Sequence, residues 1–168
     1  MLVRVPDTPR QSLDPKFIAL VDQLAPKLQG LLAMPPLTNG NLSHEMPSSG
    51  VYLFTESGRH FYVGRSNDLR GRYGRHCRPG ATHRQAAFAF QLARERTGRT
   101  VAAYRPGENS RAGLMLIPEF AEAFTAAKAR IREMEYRYVE ETDQNRQALL
   151  EIYSAVVLAT PYNDFGTH

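Results

Sequence analysis

Two short aromatic triplets carry the side chains of this sequence that are best suited to proton transfer. Residues 50–52 (Gly-Val-Tyr) and 62–64 (Tyr-Val-Gly) place two tyrosines, Tyr52 and Tyr62, ten positions apart. Arg72 follows Tyr62 by ten positions, and His76 follows Arg72 by four. A guanidinium can fork onto two phosphate oxygens, while a histidine or an activated tyrosine can move a proton. These four side chains therefore favour a hydrolytic site for a phosphate ester.

The two triplets fall on segments that are predicted to pair as β-strands. Strands are predicted over residues 51–55 and 60–64, joined by a turn over 56–59. Because side chains alternate along a strand, Tyr52 and Phe54 share one side of the first strand, and His60 and Tyr62 share one side of the second. A register with both tyrosines on one face of the sheet is compatible with this pattern.

A helix is predicted to follow the second strand and to carry the arginine and the histidine. Residues 66–68 (Ser-Asn-Asp) are three good capping residues in a row, and the helix is predicted to run to about His76. Arg72 and His76 lie one helical turn apart, so they share a strip of its surface. Gly71 and Gly74 weaken this helix.

The remaining elements are predicted from apolar periodicity and from capping signals. A helix over 14–34 has Asp14 as its cap and a kink or break at Pro26, and a loop over 34–50 follows. The apolar stripe of that helix is Phe17, Val21, Leu24, Leu28 and Leu31. The later elements are a helix over 83–97 capped by Thr82, an irregular segment over 98–113, a helix over 118–130, a strand over 131–140, and a helix over 143–160 with the stripe Leu149, Ile152, Val156 and Ala159.

Positive charge is concentrated in the middle of the chain. From Arg59 to Arg111 there are twelve arginines, no lysine and three acids, a balance of +9, whereas the remainder carries −5. This segregation indicates a surface that meets a polyanion, with a solvated basic face as the alternative. Arginine suits bidentate phosphate contacts. The candidate nucleic-acid contacts are Arg65, Arg70, Arg75, Arg84, Arg94 and Arg99.

Length and composition limit the class of protein. The 168 residues suffice for one compact domain. The single cysteine, Cys77, excludes an internal disulfide and a metal cluster built from cysteine. Residues 1–15 have no apolar signal region, and no run approaches 18 apolar residues, so we expect a cytoplasmic protein without a membrane segment.

The sequence resembles the GIY-YIG nuclease superfamily in its ordered set of motifs. The resemblance is carried, in chain order, by both triplets, Arg72, His76, Glu151 and Asn163, with valine replacing isoleucine in each triplet. The resemblance covers residues 50–76 continuously and returns at about 131–165. It implies an α+β fold with a small three-stranded, mainly antiparallel sheet flanked by helices. Residues 1–48 would then be an N-terminal helical extension with a linker, and residues 49–168 a nuclease domain with a helical insertion at about 80–130.

The resemblance also implies roles for the motif residues. Tyr52 would be the base that activates water, and Tyr62 would support the water or the transition-state phosphate. Arg72 and His76 would stabilise the added negative charge. Glu151 would hold one divalent ion, Mg²⁺ or Mn²⁺, that keeps most of its waters. Asn163 would orient the substrate or a water, with Asp164 as a weaker candidate.

Three classes of function remain open from the sequence. The first is a metal-dependent endonuclease acting on DNA, expected to be double-stranded, either restriction-type or a structure-specific repair or mobile-element nuclease. A symmetric double-strand cut calls for two active sites, so a homodimer is one expected assembly. The second class is a non-catalytic nucleic-acid binding module. The third is a small-molecule hydrolase or transferase, which would show no salt-sensitive affinity for DNA.

Overall fold

The protein has an α+β fold built on a three-stranded antiparallel sheet with helices on both faces. The computed structural model describes residues 13–100, 107–163 and 165. The strands are β1 (Gly50–Glu56), β2 (Arg59–Ser66) and β3 (Glu135–Glu140), in the order β2-β1-β3. The helices of the described residues are α1 (Pro15–Val21), α2 (Leu24–Ala33), α3 (Leu69–Cys77), α4 (Ala87–Arg96), α5 (Arg111–Met115), α6 (Pro118–Glu133) and α7 (Gln144–Val157).

The hairpin of β1 and β2 sets the register of the two triplets. Ser57 and Gly58 form its turn with φ values of 51° and 76°, the paired positive values of a tight hairpin turn. Tyr52 lies opposite Gly64 and Phe54 lies opposite Tyr62, so both tyrosines occupy one face of the sheet. The structure therefore has the register that side-chain alternation allowed, with both tyrosines on one face.

The sheet separates two hydrophobic cores. One face, which we call the tyrosine face, carries Tyr52, Phe54, Tyr62 and Tyr136 and is covered by α3, α4 and α6. The opposite face, which we call the aliphatic face, carries Val51, Leu53 and Val63 and is covered by α2 and α7. Strand β1 is thus buried along almost its whole length, whereas β2 and β3 are partly exposed, and Tyr52 and Tyr62 of the candidate site lie on the tyrosine face.

The N-terminal helical segment divides into two short helices, as predicted, but the break lies at residues 22–23 and not at Pro26. It divides into α1 and α2, and Pro26 lies in the first turn of α2, where its missing N–H has no helical partner to lose. Leu24, Leu28 and Leu31 are buried as predicted. Phe17 is exposed, so the predicted apolar stripe is wrong at its first position.

Several predicted boundaries differ from the structure. Helix α4 begins at Ala87 instead of residue 83, because the backbone of Thr82 closes a turn with Gln85 and Ala86. Helix α6 continues to Glu133, so β3 starts at Glu135. Within the segment predicted to be irregular, residues 111–115 form α5, and residues 101–106 lie outside the described part.

The predicted apolar stripe of the last helix is wrong. Ile152 and Val156 are 46% and 71% exposed, whereas Leu150, Ser154 and Ala155 are buried. The buried face is thus rotated toward smaller and more polar residues, because α7 packs closely on β2 and α2. The helix also ends at Val157, three residues before the predicted end.

Among the described residues, none of the helices combines the length and apolar character needed to cross a membrane.

Candidate active site

Tyr52 lies at the centre of the candidate site. Its side chain is 1% exposed on the middle strand of the sheet. The hydroxyl is 2.7 Å from His76 Nε2, and it accepts a hydrogen bond of 3.0 Å from Arg72 Nε. Burial raises the pKa of Tyr52 well above its usual range, and the charge of Arg72 offsets only part of this rise. The Tyr52 hydroxyl is therefore neutral in the resting protein. It can act as a base only if a neighbouring group accepts its proton.

The glycine of the second triplet makes room for that tyrosine. A Cβ built on Gly64 would overlap the hydroxyl oxygen and Cζ of Tyr52, so the ring crosses directly over the bare glycine backbone. In the first triplet, a Cβ on Gly50 would overlap the carbonyl oxygen of Val139 on β3. The glycines are thus part of the geometry that positions Tyr52.

His76 lies at the C-terminal end of α3 and is fully buried against the tyrosine face. Burial lowers the pKa of His76 well below its usual range, and the charges of Arg72 and Arg75 lower it further. The imidazole is therefore neutral near pH 7. Its Nε2 faces the Tyr52 hydroxyl, while Nδ1 has no hydrogen-bond partner among the described residues. This arrangement suits exchange of a proton with Tyr52 and keeps His76 away from solvent.

Arg72 connects the two tyrosines. It belongs to α3, whose N-terminus is capped by the Asp68 carboxylate accepting from Gly71 N at 2.9 Å. Burial raises the pKa of Tyr62, and Arg72 opposes this rise through its charge and a hydrogen bond. The Tyr62 and Tyr52 ring centroids are 6.3 Å apart. One guanidinium therefore hydrogen-bonds to Tyr52 and acts electrostatically on Tyr62, which is the less buried of the two tyrosines.

Glu151 projects from α7 and acts electrostatically on the same group of side chains. Its charge raises the pKa of both Tyr52 and Tyr62. Burial raises the pKa of Glu151 itself, and the Arg65 and Arg72 guanidiniums oppose that rise. Arg65 Nε donates to Glu151 Oε2 at 3.1 Å. The carboxylate predicted to bind a metal is thus within electrostatic reach of both tyrosines and Arg72.

One carboxylate of the candidate site could bind a divalent cation that keeps most of its waters. Within the part of the chain that the structure describes, no group of three or more His, Cys, Asp or Glu side chains could hold a metal. Mg²⁺ typically takes one or two protein carboxylates, with waters and substrate oxygens completing its shell. Glu151 offers one partly buried carboxylate whose charge is poorly solvated. Glu151 could therefore hold Mg²⁺ or Mn²⁺ as the only protein ligand.

Asn163 binds the backbone of β2. Its Oδ1 accepts from Val63 N at 2.8 Å, and its Nδ2 donates to Val63 O at 2.8 Å. Oδ1 also accepts from Thr160 Oγ1 at 2.8 Å. The amide is therefore occupied by an edge strand, and we interpret Asn163 as a residue that positions β2 and not as one that faces substrate. Asp164, the weaker candidate, lies outside the described residues.

The six arginines predicted to contact nucleic acid are not equivalent. Three of them lie near α3 and are held by partners: Arg65 pairs with Glu151, Arg70 donates to the Ser43 carbonyl, and Arg75 pairs with Asp68 at 3.3 Å. The other three lie between residues 80 and 100, where Arg84 and Arg99 are exposed and Arg94 lies over the Phe90 ring. The structure therefore divides the predicted set into two groups.

Sequence reasoning missed several neighbours of the site. Phe88 of α4 stacks on Tyr62 with centroids 5.0 Å apart and planes at 12°, so α4 forms one wall of the site. Tyr136 packs at 5.7 Å from Tyr52, and its buried hydroxyl has no partner among the described residues. The alternation of tyrosines in β3 was a usable signal for Tyr136. No local signal marked Phe88, because its contact depends on how α4 folds back.

Comparisons with protein-family models, with curated proteins and with solved structures found no match for this chain. Functional inference therefore depends on the residues, their contacts and their electrostatics.

Proposed function

We propose that this protein is a metal-dependent endonuclease that hydrolyses phosphodiester bonds in DNA. The observation that supports this proposal most directly is the chain of contacts from Arg72 through the Tyr52 hydroxyl to His76, at 3.0 and 2.7 Å. A cation, a proton donor and a neutral base are joined in sequence. Phosphodiester hydrolysis needs these three functions, because water must be deprotonated while negative charge builds up on phosphorus.

Proton transfer begins at Tyr52 in this mechanism. His76 is neutral at pH 7, and the tautomer with a bare Nε2 accepts the Tyr52 proton. In the same step the Tyr52 oxygen takes a proton from the attacking water, so no free phenolate accumulates, and the resulting hydroxide forms the new bond to phosphorus while the ester bond to the leaving oxygen breaks. Because burial and the charges of Arg72 and Arg75 disfavour a charged His76, the imidazolium returns its proton to Tyr52, the group that faces its Nε2, and Tyr52 gives up the proton that it took from water to solvent.

Arg72 and Tyr62 act on the phosphate. The guanidinium keeps its charge at all working pH values and presents several N–H donors in a rigid fork. One donor is used by Tyr52, which orients the group toward the two tyrosines. Tyr62, the less buried hydroxyl, supports the water or a phosphate oxygen. Removal of a preorganised donor of this kind costs about 10²–10³-fold in rate.

Glu151 would hold the divalent ion, whose charge polarises the scissile phosphate and stabilises the leaving oxygen. The Arg65 side chain, which now donates to Glu151, orients the carboxylate and opposes the rise in its pKa that burial causes. When substrate and metal bind, Arg65 would exchange this carboxylate for a phosphate oxygen. The charge balance of +9 between Arg59 and Arg111 supports a polyanionic substrate such as DNA.

The test is digestion of plasmid DNA by the purified full chain with Mg²⁺, and with EDTA as the control. Cleavage is expected only with the metal. Arg72→Ala and Glu151→Gln should each lower the rate by two or more orders of magnitude. Matched controls are Arg132→Ala and Glu122→Gln, which change exposed residues on α6 and should retain wild-type rates. Near-normal cleavage by Arg72→Ala or Glu151→Gln would refute the role given to that residue.

The kind of nuclease follows from the products. Sequencing of the ends separates discrete, sequence-defined cuts, which indicate a restriction-type enzyme, from cuts restricted to branched substrates, which indicate a structure-specific nuclease. Tight, salt-sensitive binding without any cleavage would instead identify a non-catalytic nucleic-acid binding module. Analytical ultracentrifugation with and without DNA tests the homodimer expected for a symmetric double-strand cut.

A further inference from the structure

Helix α7 is apolar on more sides than the described residues of the chain cover. Residues 147–160 contain a single charged side chain, that of Glu151. The side of α7 that packs on β2 and α2 consists of the buried residues Gln147, Leu150 and Ser154. Ile152 and Val156 lie on the other side and are 46% and 71% exposed. A helix that is apolar all round is typical of burial on all sides, so a partner is expected on the outer side of α7.

The outer side of α7 forms one apolar strip with α1 beside it. Leu149, Ile152 and Val156 are three and four positions apart, so their side chains are neighbours along the helix. Helix α1 lies against α7 and has no buried residue of its own. Phe17 and Ile18 on α1 are 41% and 37% exposed. We call this surface the α1–α7 face, and it consists of Phe17, Ile18, Leu149, Ile152 and Val156.

The charge of the α1–α7 face disfavours nucleic acid and membrane as its partner. Nucleic acids bind through Lys and Arg, and helices that lie on a membrane surface are rich in the same residues on their polar side. Residues 147–160 contain neither Lys nor Arg, and α1 contains one cation, Lys16. The face therefore suits the apolar surface of a protein.

The area of the α1–α7 face agrees with the requirement of a dimer. At about 150–200 Å² for a whole large apolar side chain, the exposed fractions of its residues amount to roughly 300–400 Å². A stable interface buries about 800 Å² on each partner, and somewhat more than half of that area is apolar. The face therefore supplies most of the apolar area that one copy of a dimer contributes.

We propose that the α1–α7 face is the interface between two copies of this chain, related by a two-fold axis that passes close to Ile152. A two-fold interface uses the same patch on both copies, so the patch must be complementary to itself. An uncharged apolar strip on a helix meets this requirement, because it can pack against an antiparallel copy of itself without placing like charges together. Ile152 is the middle residue of the strip and faces its own counterpart across the axis.

Such pairing would hold two candidate active sites at a fixed separation. Glu151 is next to Ile152, but adjacent positions of a helix point about 100° apart, so Glu151 lies beside the interface and not in it. This consequence rests on the proposed function, whereas the interface itself does not.

The test is sedimentation velocity of the full chain over a range of protein concentrations, in EDTA and without DNA. The wild type should form a dimer. Ile152→Asp and Ile152→Lys should each raise the dimer dissociation constant by more than about 30-fold, because like charges then meet at the axis. An equimolar mixture of the two variants should restore the dimer, since opposite charges then meet. Leu116→Asp is the matched control: Leu116 is 85% exposed between α5 and α6, so the dissociation constant should stay that of the wild type.

Cysteine cross-linking tests the same geometry without adding charge. The native Cys77 is buried, so an introduced surface thiol is the one that mild oxidation reaches. Ile152→Cys should give a covalent dimer on a non-reducing gel. Ala129→Cys, at an exposed position of α6 in the layer on the other face of the sheet, should stay monomeric on the same gel. Thermal unfolding of each variant verifies that it is folded.

Four results would overturn the proposal. The first is a wild type that stays monomeric at every concentration. The second is a dimer that persists in Ile152→Asp, which would mean that another surface forms it. The third is a mixture of the folded aspartate and lysine variants that stays monomeric. The fourth is a monomeric wild type whose binding to phosphatidylglycerol vesicles or to duplex DNA is lost in Ile152→Asp, which would assign the face to that ligand. Failure of the nuclease proposal would appear separately, as absent cleavage by a protein that still dimerises.

Discussion

The protonation state of Tyr52 determines which chemistry the candidate site can perform. A buried phenol with a raised pKa is a poor base by itself, so the hydroxyl depends on its two neighbours. Arg72 donates to its oxygen, which favours the phenolate, and His76 offers a nearby nitrogen that can take the proton. The function of each of these three residues is therefore defined by the other two.

Tyr52→Phe should abolish most activity, because it removes the hydroxyl that joins Arg72 to His76. We expect a fall of about 10²–10⁴-fold in cleavage rate and a loss of about 1–3 kcal/mol in the free energy of unfolding. Plasmid cleavage and urea unfolding measure the two effects. Tyr136→Phe is the control: its buried hydroxyl has no partner among the described residues, so its removal should be neutral or stabilising. Equal behaviour of the two variants would contradict the special role of Tyr52.

His76 should make stability fall as the solution becomes acidic. Its folded-state pKa lies well below the ordinary value of about 6.5, so below that pH the unfolded state binds a proton that the folded state resists. The free energy of unfolding should therefore decrease between about pH 7 and pH 5, by up to about 1.4 kcal/mol per pH unit from this group.

Chemical denaturation at several pH values measures that slope. His76→Gln should flatten it, while His44→Gln, a change at an exposed residue, should leave it as in the wild type. His60 and His83 also have lowered pKa values and retain part of the slope in every variant. An unchanged slope in His76→Gln would show that His76 is not the group resisting protonation.

The sequence predicted which residues lie at the site, but not the long-range contacts that they make. The spacing of Tyr52, Tyr62, Arg72 and His76 predicted that they lie near one another, because strand alternation and helix turns follow from short-range periodicity. The ion pair of Arg65 with Glu151 was not predictable, since it joins residues 86 positions apart through the packing of α7 on β2. The backbone contacts of Asn163 depend on the same long-range docking.

At the scale of elements, both edges of strand β2 make contacts that position residues of the candidate site. Its inner partner β1 supplies Tyr52, whose ring crosses over Gly64. Its outer edge is covered by the segment after α7, where Tyr162 N bonds Phe61 O and the Asn163 amide pairs with Val63. Occupied edge groups cannot pair with another chain, so the same contacts protect an exposed strand from aggregation.

Gly64→Ala should displace the Tyr52 ring and impair both stability and cleavage. The new methyl group would occupy the position of the ring edge, so we expect a loss of about 1–3 kcal/mol, as for other overpacked cores. Gly74→Ala is the control, because the nearest atom to its Cβ is Arg78 Cδ at 4.0 Å and alanine favours a helix by about 1 kcal/mol. Unfolding midpoints that move in the same direction for both variants would contradict this explanation.

The predicted helices and strands are correct where a local sequence pattern is strong, and wrong where the packing of one element on another determines which residues are buried. The hairpin turn, the break before α2 and the capped start of α3 all follow from residue types in sequence. The buried face of α7 did not follow, because Ser154 and Ala155 are buried by close approach to its neighbours while larger apolar residues stay exposed. Small residues at a tight helix contact carry little periodic signal.

At the scale of the whole molecule, the N-terminal helices and the sheet share a core. Helix α2 places Leu24, Leu28 and Leu31 against the aliphatic face of the sheet. Lys27 also pairs with Glu141 at 3.4 Å, just after β3. These contacts join the predicted extension of residues 1–48 to the predicted nuclease domain, so the two are expected to unfold together.

Leu28→Ala tests this shared stability. Leu28 is 5% exposed, so its truncation should cost about 2–5 kcal/mol and shift the single unfolding transition to lower urea. Leu32→Ala, on the same helix at 38% exposed, should cost much less. A main transition that is unaffected by Leu28→Ala would mean that α2 is an independent appendage.

The crossing of the Tyr52 ring over Gly64 has a consequence for recognising related proteins. A chain with any side chain at position 64 cannot keep an aromatic ring in this place at position 52, so the two positions should vary together in descent. A search that requires this pair, twelve positions apart on neighbouring strands, would find distant relatives even where the intervening residues have diverged.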